Sequence, residues 1–148
     1  MATVSSHMAP ERVFEISSRI ESIYPLEQRI LSVVRSLGFS EDDLFSLRLA
    51  MDEALINAIM HGNGGHEHKR VYVSLVTTDD LVQVSVRDEG NGFDINSLFD
   101  PTEEGHIHDT HGRGVFLIRQ FMTHVTFNEK GNEITFALRR RDSSQCAC

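Results

Sequence analysis

The stretch Leu47 to Gly62, LRLAMDEALINAIMHG, constrains this chain more than any other, because it calls for one helix with two working faces. Apolar residues recur at Leu44, Leu47, Met51, Ala54, Leu55 and Ala58, the spacing of a buried helical stripe. Glu53, Asn57 and His61 are each four apart and form a second row on the same helix. At about 100° per residue that row lies beside the apolar stripe and not opposite it. A polar row so placed belongs at the lip of the core, where a pocket wall would stand.

The flanking pattern supplies the rest of a domain. Arg12 to Ser17 alternates as an edge strand would. Ile20 to Leu37 places Ile23, Leu26, Ile30, Val33, Val34 and Leu37 on one helical face, with Pro25 near its start and Gly38 where a left-handed cap ends a helix. Ser40 opens the central helix, with Asp43 three residues on and Glu41 and Asp42 at its positive end. Val71, Val73 and Leu75 alternate with polar neighbours, as do Val82, Val84 and Val86 after a Thr78-Asp79-Asp80 turn. A last hairpin sets Val125 and Phe127 against Ile134, Phe136 and Leu138 across Lys130-Gly131-Asn132. Hairpins with few helices predict an α+β two-layer sandwich: a mostly antiparallel, mixed sheet with helices on one face. The domain is expected over residues 11–141, between a polar 1–10 segment and a 142–148 tail, both read as disordered.

Charge narrows the partners. The 148 residues hold 14 Lys plus Arg against 22 Asp plus Glu, a formal charge of −8, whereas phosphate backbones and anionic membranes need a basic face. No apolar run approaches the roughly 20 residues of a membrane span, and no signal-peptide pattern opens the chain. Cys146 and Cys148 fit no prenylation box and no zinc finger, and read as reduced thiols on the tail. A cytoplasmic protein without nucleic-acid or membrane partners is expected.

The remaining signals are glycines. Asp88-Glu89-Gly90-Asn91-Gly92 ends a strand with a carboxylate and two residues that lack a Cβ. A carboxylate there can accept a hydrogen bond from an exocyclic amine such as that of adenine, though the same residues also make a plain tight turn. Gly112-Arg113-Gly114 opens a helix with apolar face Val115, Ile118, Phe121 and Met122, and backbone N–H groups at a helix start seat phosphate. Neither a dinucleotide-binding Gly-x-Gly-x-x-Gly after a strand nor a Gly-Lys-Ser/Thr loop occurs. Between these lies Asp94 to His111, polar and without period, a loop long enough to have a job.

Glu53-x-x-x-Asn57, Asp88-x-Gly90-x-Gly92 and Gly112-x-Gly114, in that order, resemble the three boxes of the histidine-kinase-type (GHKL) ATPase superfamily. DEALINAIMHG, VRDEGNGF and GRGVFLIRQFM are most similar to the small anti-sigma-factor serine/threonine kinases and their ATP-binding relatives, over about Arg12 to Arg140. The resemblance implies ATP and Mg²⁺ as cofactors. Asn57 would offer its amide oxygen to Mg²⁺. Glu53 would be the general base toward a Ser or Thr hydroxyl of a partner. Asp88 would fix adenine, with Gly90 and Gly92 shaping its pocket. Gly112, Arg113 and Gly114 would meet the phosphates, under a lid formed by Asp94 to His111.

The same resemblance implies a sigma factor and an anti-sigma-factor antagonist as partners, and a homodimer. Some members carry a basic residue just before the last box, where this chain has Thr110 and His111 and keeps Arg113 inside the box. Two other readings therefore stand beside the kinase: a nucleotide-gated, partner-switching binding module, and a detached catalytic module of a histidine kinase. His106, His108, His111 and Asp109 match no structural zinc spacing and are read as part of the lid.

Overall fold

The computed structural model describes residues 8–92 and 110–141, with the side chains of residues 110–114 set apart. The expected 142–148 tail, most of the 1–10 segment and the lid from Asp94 to Asp109, with His106 and His108, lie outside the described residues. So do the side chains of His111 and Arg113.

The chain forms β1 (Arg12–Ser17), a 3₁₀ turn (Ile20–Ser22), α1 (Ile23–Ser36), α2 (Glu41–Asn57), β2 (Arg70–Thr77), β3 (Leu81–Arg87), α3 (Thr110–Phe121), β4 (His124–Phe127) and β5 (Glu133–Arg139). The five strands lie in the order β1-β2-β3-β5-β4. The sheet, expected to be mixed but mostly antiparallel, is antiparallel in all four of its pairings. Because β5 runs antiparallel to both β3 and β4, those two run parallel to each other. The β3-α3-β4 crossover leaves a gap of one strand, and β5 fills it, so no parallel pair touches.

Alternation decides which face is covered. Val71, Val73 and Leu75 of β2, Val82, Val84 and Val86 of β3, and Ile134, Phe136 and Leu138 of β5 are buried against the helices. Their alternates Tyr72, Ser74, Gln83, Ser85 and Thr135 form a half-buried outer face, where the Ser85 and Thr135 hydroxyls meet at 2.7 Å. The central helix α2 contacts both α1 and α3, so it buries more than one stripe: Leu44, Leu47, Ala50, Met51, Ala54 and Leu55. Leu47 and Met51 are fully enclosed, and truncating such a residue to Ala costs about 2–5 kcal/mol.

Local chemistry sets the helix ends. Gly38 ends α1 at φ +91°, a conformation that side chains with a Cβ resist. Ser40 Oγ accepts the Asp43 backbone N–H at 3.1 Å, the expected cap of α2. The reciprocal half of a capping box is missing. Asp43 is fully buried, and its carboxylate accepts the Arg141 backbone N–H at 3.1 Å with Arg141 Nε 3.5 Å away, tying the start of α2 to the end of β5. Among the described residues no helix is long and apolar enough to cross a membrane.

Candidate nucleotide site

The helix expected through Gly62 changes pitch after Asn57. Ala58–Gly62 forms a π turn in which the Asn63 N–H reaches back to the Ala58 carbonyl at 2.8 Å. The wider turn takes His61 out of strict register with Glu53 and Asn57. Asn57 and His61 still line a cavity of about 300 Å³, together with Ala54, Ala58 and Gly62. That volume lies at the lower end for small-molecule sites. Among the described residues, Glu53 stands outside this wall, half-buried and one helical turn before Asn57. The three-residue row thus divides: two members line the cavity and the third does not.

The opposite wall is the segment after β3. Asp88 lines the cavity, and its backbone is paired twice to the β4–β5 turn: its N–H donates to the Asn132 carbonyl at 3.0 Å, and Asn132 Nδ2 donates to its carbonyl at 3.2 Å. Asp88 Oδ1 accepts the Gly90 N–H at 2.7 Å. Burial pushes the Asp88 carboxyl up from its ordinary value; the Gly90 hydrogen bond and the charges of Lys130 and Lys69 pull it back down.

The glycines turn out to make room for the protein itself. A Cβ on Gly62 would overlap the Asp88 carboxylate, and one on Gly90 would overlap the Gly62 carbonyl oxygen. Gly92, at φ +80°, lies against the Lys130 carbonyl of the β4–β5 turn. The close approach that Gly90 and Gly92 were expected to allow a flat ligand is an approach between backbones. Gly92 does line the cavity as well.

The third wall is α3. It begins at Thr110, so Gly112, Arg113 and Gly114 are its third to fifth residues and the last two positions of the expected lid are helical. Val115 and Ile118 of this helix line the cavity, so α3 meets it just after the Gly112-Arg113-Gly114 box. Among the described residues no group of three His, Cys, Asp or Glu side chains gathers to hold a metal. Asn57 contributes a single amide to the wall, which suits a hard cation that takes most of its oxygens from phosphate and water.

Residues 16–138 match the family described as "Histidine kinase-like ATPase domain". The chain belongs to this family.

Among its ATPase-domain relatives, the chain is 31% identical over 111 residues to "Anti-sigma F factor" of Oceanobacillus iheyensis, covering 71% of this chain and 75% of that one. It is 30% identical over 94 residues to "Serine-protein kinase RsbW" of Listeria monocytogenes, 60% of each chain. A crystal structure of the RsbU and RsbW domains of Rv1364c from Mycobacterium tuberculosis has the same fold, at a TM-score of 0.61 and 16% identity, over 90% of this chain and 32% of that longer one. The α+β sandwich is therefore the histidine kinase-like ATPase fold.

Three residues that build the site were given no part in it by the sequence: Asn63 and Asn128, which brace its turns, and Asn132, named there only in a hairpin turn. Asn128 Oδ1 accepts the N–H groups of Gly131, Asn132 and Glu133 at 2.8, 3.0 and 3.2 Å and builds the turn that meets Asp88. The available signal was the turn chemistry of Asn itself.

Proposed function

We propose that this chain is an ATP-dependent serine/threonine protein kinase of the anti-sigma type, which holds a sigma factor and phosphorylates an anti-sigma-factor antagonist. The observation that carries the reading is the meeting of Asn57, Asp88, Val115 and Ile118 around one cavity, with Glu53 one helical turn before Asn57. The likeness to an anti-sigma F factor and to a serine-protein kinase supports it.

In this reading the adenine amine donates to the Asp88 carboxylate, and the phosphates run past Asn57 toward Gly112, Arg113 and Gly114. Asn57 would hold Mg²⁺ through its amide oxygen, and the ion would supply neutralisation of the charge on the transferring group. Glu53 accepts the proton of the antagonist hydroxyl as that oxygen bonds to the γ-phosphorus and the bond to the β-phosphate oxygen breaks, releasing ADP. A carboxylate outside the cavity wall is where a base would meet a hydroxyl arriving on another protein. The exposed edge strand β1, where Val13 is 67% exposed, is the surface proposed for a homodimer.

Thr110 and His111, standing where some members carry a basic residue before the last box, favour a second reading, in which nucleotide only switches partners and no phosphate moves. Incubating the full chain with γ-labelled ATP, Mg²⁺ and candidate antagonists separates the two. Label on a Ser or Thr of an antagonist is the kinase result; ATP-dependent complex exchange with no label in any antagonist gives the binding module.

A further inference from the structure

Asn63 follows the π turn and exposes none of its surface. Its Nδ2 donates to Ser18 Oγ at 3.1 Å, just past β1, and to the Arg70 carbonyl at 3.0 Å, where β2 begins. Its Oδ1 accepts the Glu89 backbone N–H at 2.8 Å. Two acceptors on one side and a donor on the other fix which way the amide points. The same turn is held a second time, because Glu89 Oε2 accepts the Arg70 N–H at 2.6 Å. Gly62, the neighbour of Asn63, packs its carbonyl against Gly90. Asn63 therefore bonds β1, β2 and the Asp88–Gly90 turn from one buried point at the end of the helix that carries Asn57. No other small side chain does this: Asp has no donor when ionised, and Ser has one hydroxyl where three partners must be met.

We propose that Asn63 is a positioning residue for nucleobase selection, holding the Asp88–Gly90 turn so that the Asp88 carboxylate faces the base. This rests on the nucleotide reading above and adds to it the residue that sets its selectivity. Asn57 and α3 reach the cavity without passing through Asn63, so loss of its amide disturbs recognition of the base and spares that of the phosphates.

Calorimetry on the full chain with Mg²⁺, using ATP, GTP and tripolyphosphate, tests this. Asn63→Ala should weaken ATP about tenfold and lower the preference for ATP over GTP by a similar factor, with tripolyphosphate changed less than about twofold. Ser18→Ala removes a buried partner of the same amide and leaves the Glu89 bond in place, so it should lower Tm and keep the ATP-to-GTP ratio. An unchanged ratio in Asn63→Ala, or an equal loss in Ser18→Ala, would overturn the proposal in favour of a purely structural Asn63. If Asn63→Ala does not fold, amide exchange in the wild type decides. The Glu89 N–H should be protected like those of β3, and exchange at the rate of an open turn refutes the clamp. Failure of the wild type to bind any adenine nucleotide is a separate result, which removes the nucleotide reading and this proposal with it.

Discussion

The carbonyl oxygen of Gly62 packs against the α-carbon of Gly90, joining the end of the central helix to the turn that carries Asp88. No other residue fits at either position, because a Cβ on Gly90 would occupy the space of that oxygen and one on Gly62 the space of the Asp88 carboxylate. Gly90→Ala should force the turn away from the helix, weakening ATP binding by tenfold or more and lowering Tm. Calorimetry and a melt without nucleotide measure both. Wild-type affinity in this variant would mean that the turn can shift without moving Asp88.

Asp88 is proposed to meet the base, which ATP and ADP share. Asp88→Asn should therefore weaken both by similar factors, since it replaces half of the acceptor with a donor. Loss of ATP binding with ADP untouched would place Asp88 near the γ-phosphate instead. Burial raises the carboxyl, and only the ionised form has both oxygens free to accept. Affinity for both nucleotides should accordingly fall on acidification, beginning above the ordinary carboxylate range, and Asp88→Asn should lose that dependence.

Glu53→Gln keeps the shape of the side chain but not its ability to take a proton. Positioned bases contribute about 10²–10⁴-fold in rate. Antagonist phosphorylation should fall by that factor while ATP affinity and sigma-factor capture stay near wild type. ATP affinity is measured in the same protein, because Asn57 lies one turn away. Phosphorylation at an undiminished rate would remove Glu53 from the chemistry.

The pH dependence of stability should carry the mark of Glu27. This residue of α1 is 2% exposed and is pushed up to about 8, first by burial and then by the neighbouring Asp52 carboxylate, against Arg48, whose Nε is 4.0 Å away. Below about 4.5, its ordinary value, folded and unfolded chains both hold the proton. Between about 4.5 and 8 only the folded chain holds it, so stability falls as pH rises, by at most about 1.4 kcal/mol per unit. Above about 8 both states are ionised and this contribution stays lost. Glu27→Gln should flatten the slope in that window and be more stable than wild type at pH 8. Denaturation curves of the two proteins that run parallel from pH 5 to 8 would show Glu27 to be ionised throughout.

The elements and the order of the three boxes were legible in the sequence, because periodicity is local: alternation marks a strand, and a four-residue recurrence marks a helix wherever the chain later goes. Ser40 as cap, Gly38 as stop and the β2–β3 and β4–β5 hairpins follow from such short-range chemistry. Tertiary structure alone decided what each box touches. The row of Glu53, Asn57 and His61 is regular on paper, yet a π turn follows Asn57, and of the three only Asn57 and His61 line the cavity. Gly90 and Gly92 look alike in the motif but answer to different backbones, Gly62 from the helix and Lys130 from a distant hairpin. Asn63 sits among glycines in the sequence, and is fully buried because the end of β1, the start of β2 and the Asp88 turn converge on it. One-dimensional pattern records which face of an element is apolar; it does not record which remote segment returns to lie against that face, and that return is what makes the site.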